Sequence, residues 1–424
     1  MTKSATKKVP TEVGTLAQLV LPLATLVRSD LQAFVLSVGI QALTAMLEAE
    51  RTELAGPRYE HNPERQATRG GTTRGKLTLG GRQVSVDRPR VVDSKGREIP
   101  LGTWREFAAR DPMDRRVLEQ MTLGVATRKY DRSLEPVPPE LETSGTSKSS
   151  VSRTFVEITA AKLEEWRTRT LAELEIPAIF IDGIHFAEHV VLVALGVDAM
   201  GQKHVLGLWE GATENGAACR AMLADLITRG LDTKRVRLFV IDGSGALRSA
   251  IRDTFGKRAL VQRCQVHKTR NVESHLPKSK QPAVRTAMRQ AYKAAKVETA
   301  KRQLENLARS LQTAHPSAAA SLREGLDETL TVMSLALPRT LERSFSTTNP
   351  IESLNDRLRY VARRVKRWRG GEMILRWTAA GVWEASRGFR RLKGHLSMPI
   401  LIAALAERDP CQSGEGVDVY EKVA

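Results

Sequence analysis

The stretch "RLFVIDGSGALRSAI", residues 237–251, decides the fold class of this chain. Its first half is a short apolar run, typical of a strand that is buried on both faces. Its second half has the apolar spacing of an amphipathic helix. A buried strand followed at once by a helix predicts an α/β fold and leaves Asp242 at the end of that strand.

The neighbouring stretches supply the rest of a sheet. "IPAIFIDG" (176–183) is a second strand of buried type, ending at Asp182. Residues 189–210 predict two strands around a turn at Met200-Gly201-Gln202, residues 213–231 a helix, and "RALVQRC" (258–264) a fifth strand. The order β-β-β-α-β-α-β predicts a mixed, partly parallel, five-stranded sheet.

The segments around the sheet have different patterns. Before it, residues 29–54 predict a helix, 56–75 a loop or an extended arm, and 75–92 two strands with a turn at Gly80-Gly81. After it, residues 267–345 lack strand character and predict an all-helical segment. The predicted regions are 1–110 (mostly helical, with a small β part), 111–172, the core formed by 173–266 and 346–400, the helical 267–345, and a tail at 401–424.

The charge of the chain points to its partner. The net charge is +18, and a basic surplus of that size indicates a polyanion, most often nucleic acid. The three cysteines, Cys219, Cys264 and Cys411, are odd in number and far apart, which favours a reducing cytosol. The apolar stretch 15–27 is too short to span a bilayer. We therefore expect a cytoplasmic protein without a membrane segment.

Residues 145–171 are the first candidate for DNA contact. Ser147 can cap a helix there, and a helix predicted at about 112–130 precedes it, so a helix-turn-helix is one interpretation. Its second helix would present N-terminal residues to DNA. These residues are Lys148, Ser149, Ser150 and Arg153. The alternative is an amphipathic surface helix with one basic end.

Two aspartates form the core of a candidate catalytic site. Asp182 and Asp242 each lie in an Ile-Asp-Gly at a strand end, where open sheets present catalytic groups. On neighbouring parallel strands the carboxylates would repel each other unless protons or metal ions intervened. Two Mg²⁺ ions could clamp the attacking and leaving oxygens of a phosphodiester, with Glu352 as the third carboxylate. The alternative is that each Asp-Gly is only a turn.

Glu352 also has a structural interpretation. In "STTNPIESLN" (346–355), Asn349 can cap a helix, Pro350 suits its first position, and Glu352 follows the cap by three residues, as in a capping box. Capping and metal binding compete for the same carboxylate. We predict that Glu352 is a metal ligand and that capping is left to Asn349 or Thr348.

Two further motifs flank this helix start. Cys264 and His267 form a lone C-x-x-H without a second pair nearby, so we expect hydrogen-bonding support of the site and not a zinc site. After Glu352 comes a basic run without an acid, interleaved with Tyr360 and Trp368, which favours phosphate contact over a solvated face. Its members are Arg357, Arg359, Arg363, Arg364, Lys366, Arg367 and Arg369.

These motifs together resemble the mutator-type transposases of bacterial insertion sequences. The resemblance rests on "RLFVIDGSGALRSAI", "QRCQVHKTRNV" and "TTNPIESLNDRLR", among others, and covers most of the chain. It implies an RNase H-like catalytic core, interrupted before the last acid by an all-α insertion. It also implies an Asp-Asp-Glu triad on Asp182, Asp242 and Glu352 and dependence on two Mg²⁺ ions, with Mn²⁺ as a substitute.

The function expected from this resemblance is that of a DNA transposase. The N-terminal DNA-binding region would recognise double-stranded terminal inverted repeats, and the triad would catalyse strand cleavage and strand transfer into target DNA. A homodimer is expected because two element ends must meet, and a bacterial protein of this kind would associate with the nucleoid. Two alternatives stay open: an RNase H-like nuclease that does not join strands, and a non-catalytic DNA-binding repressor.

Overall fold

The computed structural model describes residues 31–60, 67–109, 111, 114–134, 143–211 and 216–409. The apolar stretch 15–27, the proposed cap at Ser29, the polar tail from 410 onward and Cys411 lie outside the described residues. The chain divides into two compact units, Met1–Phe155 and Val156–Ala424. The predicted region boundaries stay predictions.

The first unit combines one long helix with a four-stranded sheet. Its elements are α1 (Leu31–Ala55), β1 (Ala67–Leu79), β2 (Arg82–Asp93), β3 (Glu98–Ile99), α2 (Gly102–Ala109), α3 (Arg115–Thr122) and β4 (Thr143–Gly145). β2 pairs antiparallel with each of the other three strands. The β1–β2 turn places Gly80 and Gly81 at positive φ, 62° and 78°, which the tight hairpin turn favours. Leu36, Leu43 and Leu47 of α1 belong to the same buried cluster as the strand side chains.

Within the described residues, the β part of the N-terminal region is larger than the sequence predicted. β1 begins at Ala67, so residues 67–75 of the stretch predicted as a loop or arm (56–75) are strand. The physical reason is its partner: β2 continues to Asp93, and Ala67 pairs with Asp93 across a bulge between Arg69 and Thr72. The sequence of this strand is glycine-rich and basic. It lacks the alternating apolar residues from which a strand is predicted.

The predicted helix-turn-helix also differs from the structure. α3 ends at Thr122, and the next described α-helix, α4 (Lys148–Thr168), begins only after β4, so no turn of three or four residues joins them. Ser147 does cap α4, because its Oγ accepts a hydrogen bond from Ser150 N–H at 3.2 Å. Lys148, Ser149 and Arg153 are exposed and Ser150 is half-buried. Their contact with DNA stays a prediction.

The second unit contains the predicted mixed five-stranded sheet. Its strands and helices are β5 (Ala178–Phe186), β6 (His189–Val197), β7 (Lys203–Gly211), α5 (Gly216–Thr228), β8 (Arg237–Ile241), α6 (Gly245–Phe255) and β9 (Ala259–Arg263). The spatial order is β7-β6-β5-β8-β9. β5, β6 and β7 are antiparallel, whereas β8 runs parallel to both β5 and β9. The predicted order of elements is confirmed.

Helices follow the sheet to the end of the described chain. They are α7 (Gln265–Ser274), α8 (Gln281–Ala291), α9 (Val297–Leu311), α10 (Pro316–Arg323), α11 (Arg339–Phe345), α12 (Asn349–Ala362), α13 (Gly371–Ser386) and α14 (Met398–Ala406). Every element between Gln265 and Phe345 is helical, as predicted, and most of these helices share a core of their own. None of the helices in the described ranges combines the length and apolar character that a membrane span requires.

The two faces of the sheet are covered by different helices. α5 and α6 pack on the face that carries Ile179 and Ile241. α12, α13 and α14 share a core with the opposite face, which carries Phe180 and Val240. This second face is the one that positions the candidate site.

Candidate active site

The strand register brings Asp182 and Asp242 side by side. Ile181 of β5 is the pairing partner of Ile241 of β8, and an aspartate directly follows each of these two isoleucines. Neighbouring strands lie roughly 4.8 Å apart. Side chains alternate along a strand, and Phe180 and Val240, two positions earlier, both belong to the core shared with α12. Both carboxylates therefore belong to the same face, beside that core.

Asp182 does not lie at the end of its strand, as the sequence pattern had indicated. β5 continues to Phe186, because its antiparallel pairing with β6 runs on through Asp182–Val193 to the hairpin at Phe186–His189. Only the parallel pairing with β8 stops at Ile181. Asp182 thus lies just past the end of β8, where β5 no longer has a strand paired on that side.

The turn after β8 fixes Asp242. Its Oδ1 accepts a hydrogen bond from Ser244 N–H at 2.9 Å. Gly243 has a φ of 121°, and a Cβ there would lie 2.7 Å from Nη2 of the buried Arg263. That same nitrogen donates to the Gly243 carbonyl at 3.0 Å. Glycine at 243 therefore lets Arg263 close on the turn and hold the backbone next to Asp242.

α12 brings the third acid to the same face of the sheet. Ile351, Leu354 and Leu358 recur at helical spacing and are buried in the core shared with β5. Glu352 and Asn355 are three residues apart and so lie on one side of the helix. Asn355 Nδ2 donates a hydrogen bond to Asp182 Oδ2 at 2.7 Å. The helix that carries Glu352 is thereby joined directly to the first aspartate.

Asn355 is a candidate functional residue that the sequence pattern did not reveal. It is fully buried, and its Oδ1 has no hydrogen-bond partner within the described part of the chain. A buried amide with one unsatisfied oxygen is unusual and calls for an explanation. Its position one turn after Glu352 was the available signal, but a polar residue at that spacing commonly lies on a solvated face.

Of the two predicted caps, Asn349 and Thr348, the structure places Thr348 at the N-cap position. α12 begins at Asn349 and its N-cap is Thr348, which makes no side-chain cap hydrogen bond. Glu352 therefore stands four residues after the N-cap, one position too late for a capping box. Its Oε1 instead accepts a hydrogen bond from Thr348 Oγ1 at 2.6 Å. The carboxylate therefore accepts from the side chain of the N-cap residue and not from its backbone N–H, which donates to Cys264 Sγ.

Cys264 and His267 lie next to Glu352. Thr348 N–H donates to Cys264 Sγ at 3.4 Å, and His267 Nδ1 is 3.3 Å from Thr348 Oγ1. The single hydroxyl proton of Thr348 is used for Glu352, so His267 Nδ1 is the donor in the second contact. His267 Nε2 is 3.8 Å from Glu352 Oε1. Thr348 thus connects the C-x-x-H pair to the acid.

Hydrogen bonding within this group alters two pKa values. The bond between Cys264 and His267 is the main cause that raises the pKa of His267, and the charges of Glu352 and Asp242 act in the same direction. Burial by itself would raise the pKa of the Cys264 thiol, but hydrogen bonds with His267 and Thr348 outweigh it and lower that pKa. Both shifts favour charged forms close to the acids.

The same group could also hold a metal. The ligand atoms of Cys264, His267 and Glu352 all lie within 4.8 Å of one another. The sequence offers no second pair near the C-x-x-H, but the fold supplies Glu352 as a third ligand. Sulfur, imidazole and carboxylate in one set suit Zn²⁺, whereas carboxylates alone suit Mg²⁺. Glu352 therefore belongs to this group and also lies on the helix that Asn355 joins to Asp182.

The basic run after Glu352 is exposed but only partly helical. α12 ends at Ala362, so Arg357 and Arg359 lie on the helix and the others follow in a loop. All seven basic residues are exposed. Arg359 pairs with Asp356 at 3.0 Å, and Arg363 lies 3.9 Å over the Tyr360 ring. The rest, namely Arg357, Arg364, Lys366, Arg367 and Arg369, show no ion-pair partner among residues 216–409.

Trp368 is not available in the way the sequence pattern suggested. Its ring packs edge to face on Phe186, with ring centroids 5.4 Å apart, and it contacts the core next to the sheet. An aromatic ring packed in this way anchors the basic loop to the core. Tyr360 remains exposed on α12.

Comparison with known proteins adds the family. A sequence model described as "Transposase, Mutator family" matches residues 16–389. The chain belongs to the Mutator family of transposases. The match spans both units of the structure and includes both aspartates, the C-x-x-H pair and Glu352.

The curated relatives of this chain are named as insertion-sequence transposases. The chain is 28% identical over 376 residues to the transposase for insertion sequence element IS1081 of Mycobacterium tuberculosis, and the alignment covers 86% of this chain and 87% of the relative. It is 27% identical over 329 residues to the transposase for IS256 in transposon Tn4001 of Staphylococcus aureus, covering 74% and 80%. The predicted family is confirmed.

Proposed function

We propose that this protein is a DNA transposase whose Asp182, Asp242 and Glu352 form a metal-binding catalytic triad. The observation that carries the proposal is the β5–β8 register, which sets the two aspartates side by side on the face that α12 covers. The hydrogen bond from Asn355 to Asp182 brings Glu352 to that face. Family membership supplies the class of reaction.

The donor set fits Mg²⁺. Asp182 and Asp242 are both half-buried carboxylates, and the Glu352 side chain is 32% exposed, so all three can reach solvent and substrate. Mg²⁺ prefers carboxylate oxygens and keeps several waters, which a partly open site allows. Bound there, two ions would supply Lewis-acid activation of the attacking oxygen and charge neutralisation at the leaving oxygen.

The residues of the chain itself hold these acids in place. Asn355 donates to Asp182, Ser244 N–H and Arg263 fix the turn of Asp242, and Thr348 orients Glu352. Each acid therefore has a protein partner that limits its rotamers before substrate arrives. Such preorganisation is what positions a scissile phosphate for in-line attack by water or by a DNA 3′-hydroxyl.

The finer parts of the architecture belong to this proposal. The strand order β7-β6-β5-β8-β9, with three antiparallel strands and two parallel ones, supports an RNase H-like core. The helices from Gln265 to Phe345 would then be an all-α insertion before the last acid. The exposed residues from Arg357 to Arg369 would contact DNA phosphates, and the N-terminal unit with Lys148 and Arg153 would read the terminal inverted repeats. A homodimer in the bacterial cytoplasm, associated with the nucleoid, is part of this proposal.

A cleavage assay tests the proposal. The purified full chain is incubated with DNA that carries the inverted repeats flanking its own gene, and we expect nicking in Mg²⁺ or Mn²⁺ and none in EDTA. Pre-cleaved ends should be joined to target DNA. Cleavage without joining would favour an RNase H-like nuclease, and salt-dependent binding without any nicking would favour a repressor.

Asn355→Ala is expected to raise the Mg²⁺ concentration needed for half-maximal cleavage by about 10-fold or more, the usual cost of removing a partner of a metal ligand. The amide no longer holds Asp182, so the carboxylate samples other rotamers before the metal binds. The measurement is a Mg²⁺ titration of single-turnover cleavage.

The matched control for this variant is Asn271→Ala, at an exposed position on α7. It should titrate like the wild type. A role of Asn355 in packing alone would lower the Tm of Asn355→Ala and leave the Mg²⁺ midpoint of the folded protein unchanged, and that result would contradict the prediction.

A further inference from the structure

A large basic cavity lies in the helical segment beside the candidate active site. It has a volume of about 740 Å³ and is lined by α7, α8 and α11 and by the start of α12. Its basic side chains are Arg270, Arg285, Arg289, Lys293, Arg339 and Arg343. The same walls carry two acidic residues, Glu273 and Glu342.

The two acids are already neutralised within the cavity wall. Glu273 is paired with Arg285 at 2.5 Å and Glu342 with Arg339 at 2.7 Å. The other four basic residues, Arg270, Arg289, Lys293 and Arg343, are exposed and have no ion-pair partner among residues 216–409. Unpaired cations on several walls of one concavity repel each other, so the cavity presents a positive potential that an anion would relieve.

The cavity lies beside the start of the helix that carries Glu352, one of the candidate catalytic acids. Ser346, Thr347 and Asn349 form part of its wall, and Glu352 follows Asn349 within the first turn of α12. The wall is tied to the sheet side by the hydrogen bond from Gln265 N–H to the Ser346 carbonyl at 3.0 Å. A strand whose scissile phosphate lay at metal ions bound by Glu352 would therefore have the cavity beside it.

We propose that this cavity binds a single DNA strand through its phosphates, next to the bond that is cleaved. The inference rests on the proposed function, because it assigns the strand to a nuclease site. The volume lies within the ~300–1,000 Å³ of small-ligand pockets and is enough for nucleotide units. Arginine and lysine side chains from several helices around one concavity suit contact with the phosphates of a flexible strand.

The double variant Arg289→Ala/Lys293→Ala tests the proposal. Binding of a short fluorescein-labelled single strand is measured by anisotropy in the absence of divalent metal. The Kd is expected to rise by about 10-fold or more at low salt. The plot of the logarithm of the association constant against the logarithm of salt concentration should become shallower by roughly 1.4, about 0.7 for each lost phosphate contact. A strand with a photoreactive base should crosslink to peptides of α7 or α8 in the wild type and lose that crosslink in the variant.

The control removes the same charge elsewhere on the helical segment. Lys296→Ala/Arg302→Ala lies outside the cavity lining and should bind and crosslink like the wild type. Equal Kd values for the two double variants, with crosslinks confined to residues 357–369, would overturn the proposal. Complete displacement by millimolar inorganic phosphate, or equal competition by a duplex of the same length, would overturn the assignment to a single strand.

Failure of this inference can be told from failure of the proposed function. The binding and crosslinking measurements use no divalent metal, so their outcome does not depend on metal binding by the triad. If the protein binds the strand in the cavity but never nicks DNA, the cavity proposal is supported and the catalytic triad is contradicted. If it nicks DNA with Mg²⁺ but the two double variants bind alike, the triad is supported and the cavity proposal is contradicted.

Discussion

Replacing Asp182 or Asp242 by Asn is expected to lower the rate of Mg²⁺-dependent DNA cleavage by about 10³-fold or more, the scale on which removing one charge-stabilising group acts in an active site. The substitution keeps shape and removes charge. An asparagine oxygen at 242 can still accept the hydrogen bond from Ser244 N–H, so the turn after β8 should persist. The loss would therefore report on metal binding and not on folding.

The measurement is single-turnover cleavage of terminal-repeat DNA at saturating protein. Asp253→Asn, an exposed aspartate on α6 in the same unit, is the matched control and should cleave at the wild-type rate. DNA binding by all three variants should be unchanged at equal salt. Cleavage by Asp242→Asn at the wild-type rate would contradict the proposed triad and would identify the two Ile-Asp-Gly segments as ordinary turns.

The sheet and its aspartates could be predicted because their signals are local. Runs such as Phe239-Val240-Ile241 are long enough to identify a buried strand, and an aspartate directly after such a run needs no distant partner to be noticed. The strand–helix–strand order of β8, α6 and β9 favours parallel neighbours, and these two strands do pair in parallel. The pairing of β5 with β8 and its register at Ile181 and Ile241 come from the structure, because β6, β7 and α5 separate the two strands in the chain.

What could not be predicted depends on partners distant in sequence. Ala67 is in a strand because Asp93 pairs with it, and nothing in its own glycine-rich neighbourhood indicates this. Asn355 is buried because Asp182, far away in the chain, accepts its hydrogen bond. Trp368 lies in a basic run but packs on Phe186. In each case a tertiary contact overrides the local pattern.

The helix start at residue 349 shows the limit of local rules most directly. The spacing from Asn349 to Glu352 matches a capping box, yet the helix begins one residue earlier than that match requires. A shift of one residue turns the carboxylate from the backbone to Thr348 Oγ1. Helices fray at their ends, so the local spacing of residues does not determine which residue is the N-cap.

Glu352→Gln is expected to abolish cleavage to a similar extent, about 10³-fold, while leaving the fold intact. The amide oxygen can still accept the hydrogen bond from Thr348 Oγ1, and the buried stripe of Ile351, Leu354 and Leu358 is untouched. The Tm should therefore stay within a few degrees of the wild type, as for substitutions that cost well under 1 kcal/mol. Cleavage is measured by the same single-turnover assay, and retained cleavage would return Glu352 to a structural role.

A second variant separates the two metal sites in which Glu352 could serve. If Glu352 acts with the aspartates, Cys264→Ala removes only a hydrogen-bonded support of Thr348, and cleavage should fall by about 10-fold, far less than in Glu352→Gln. If instead Cys264, His267 and Glu352 hold Zn²⁺, both variants should lose activity equally and elemental analysis of the wild type should find one zinc per chain. The ratio of the two rates, together with the zinc content, therefore identifies the ions that Glu352 binds. Because a carboxylate oxygen suits either ion and only its neighbours differ, the assignment depends on Cys264 and the aspartates more than on Glu352 itself.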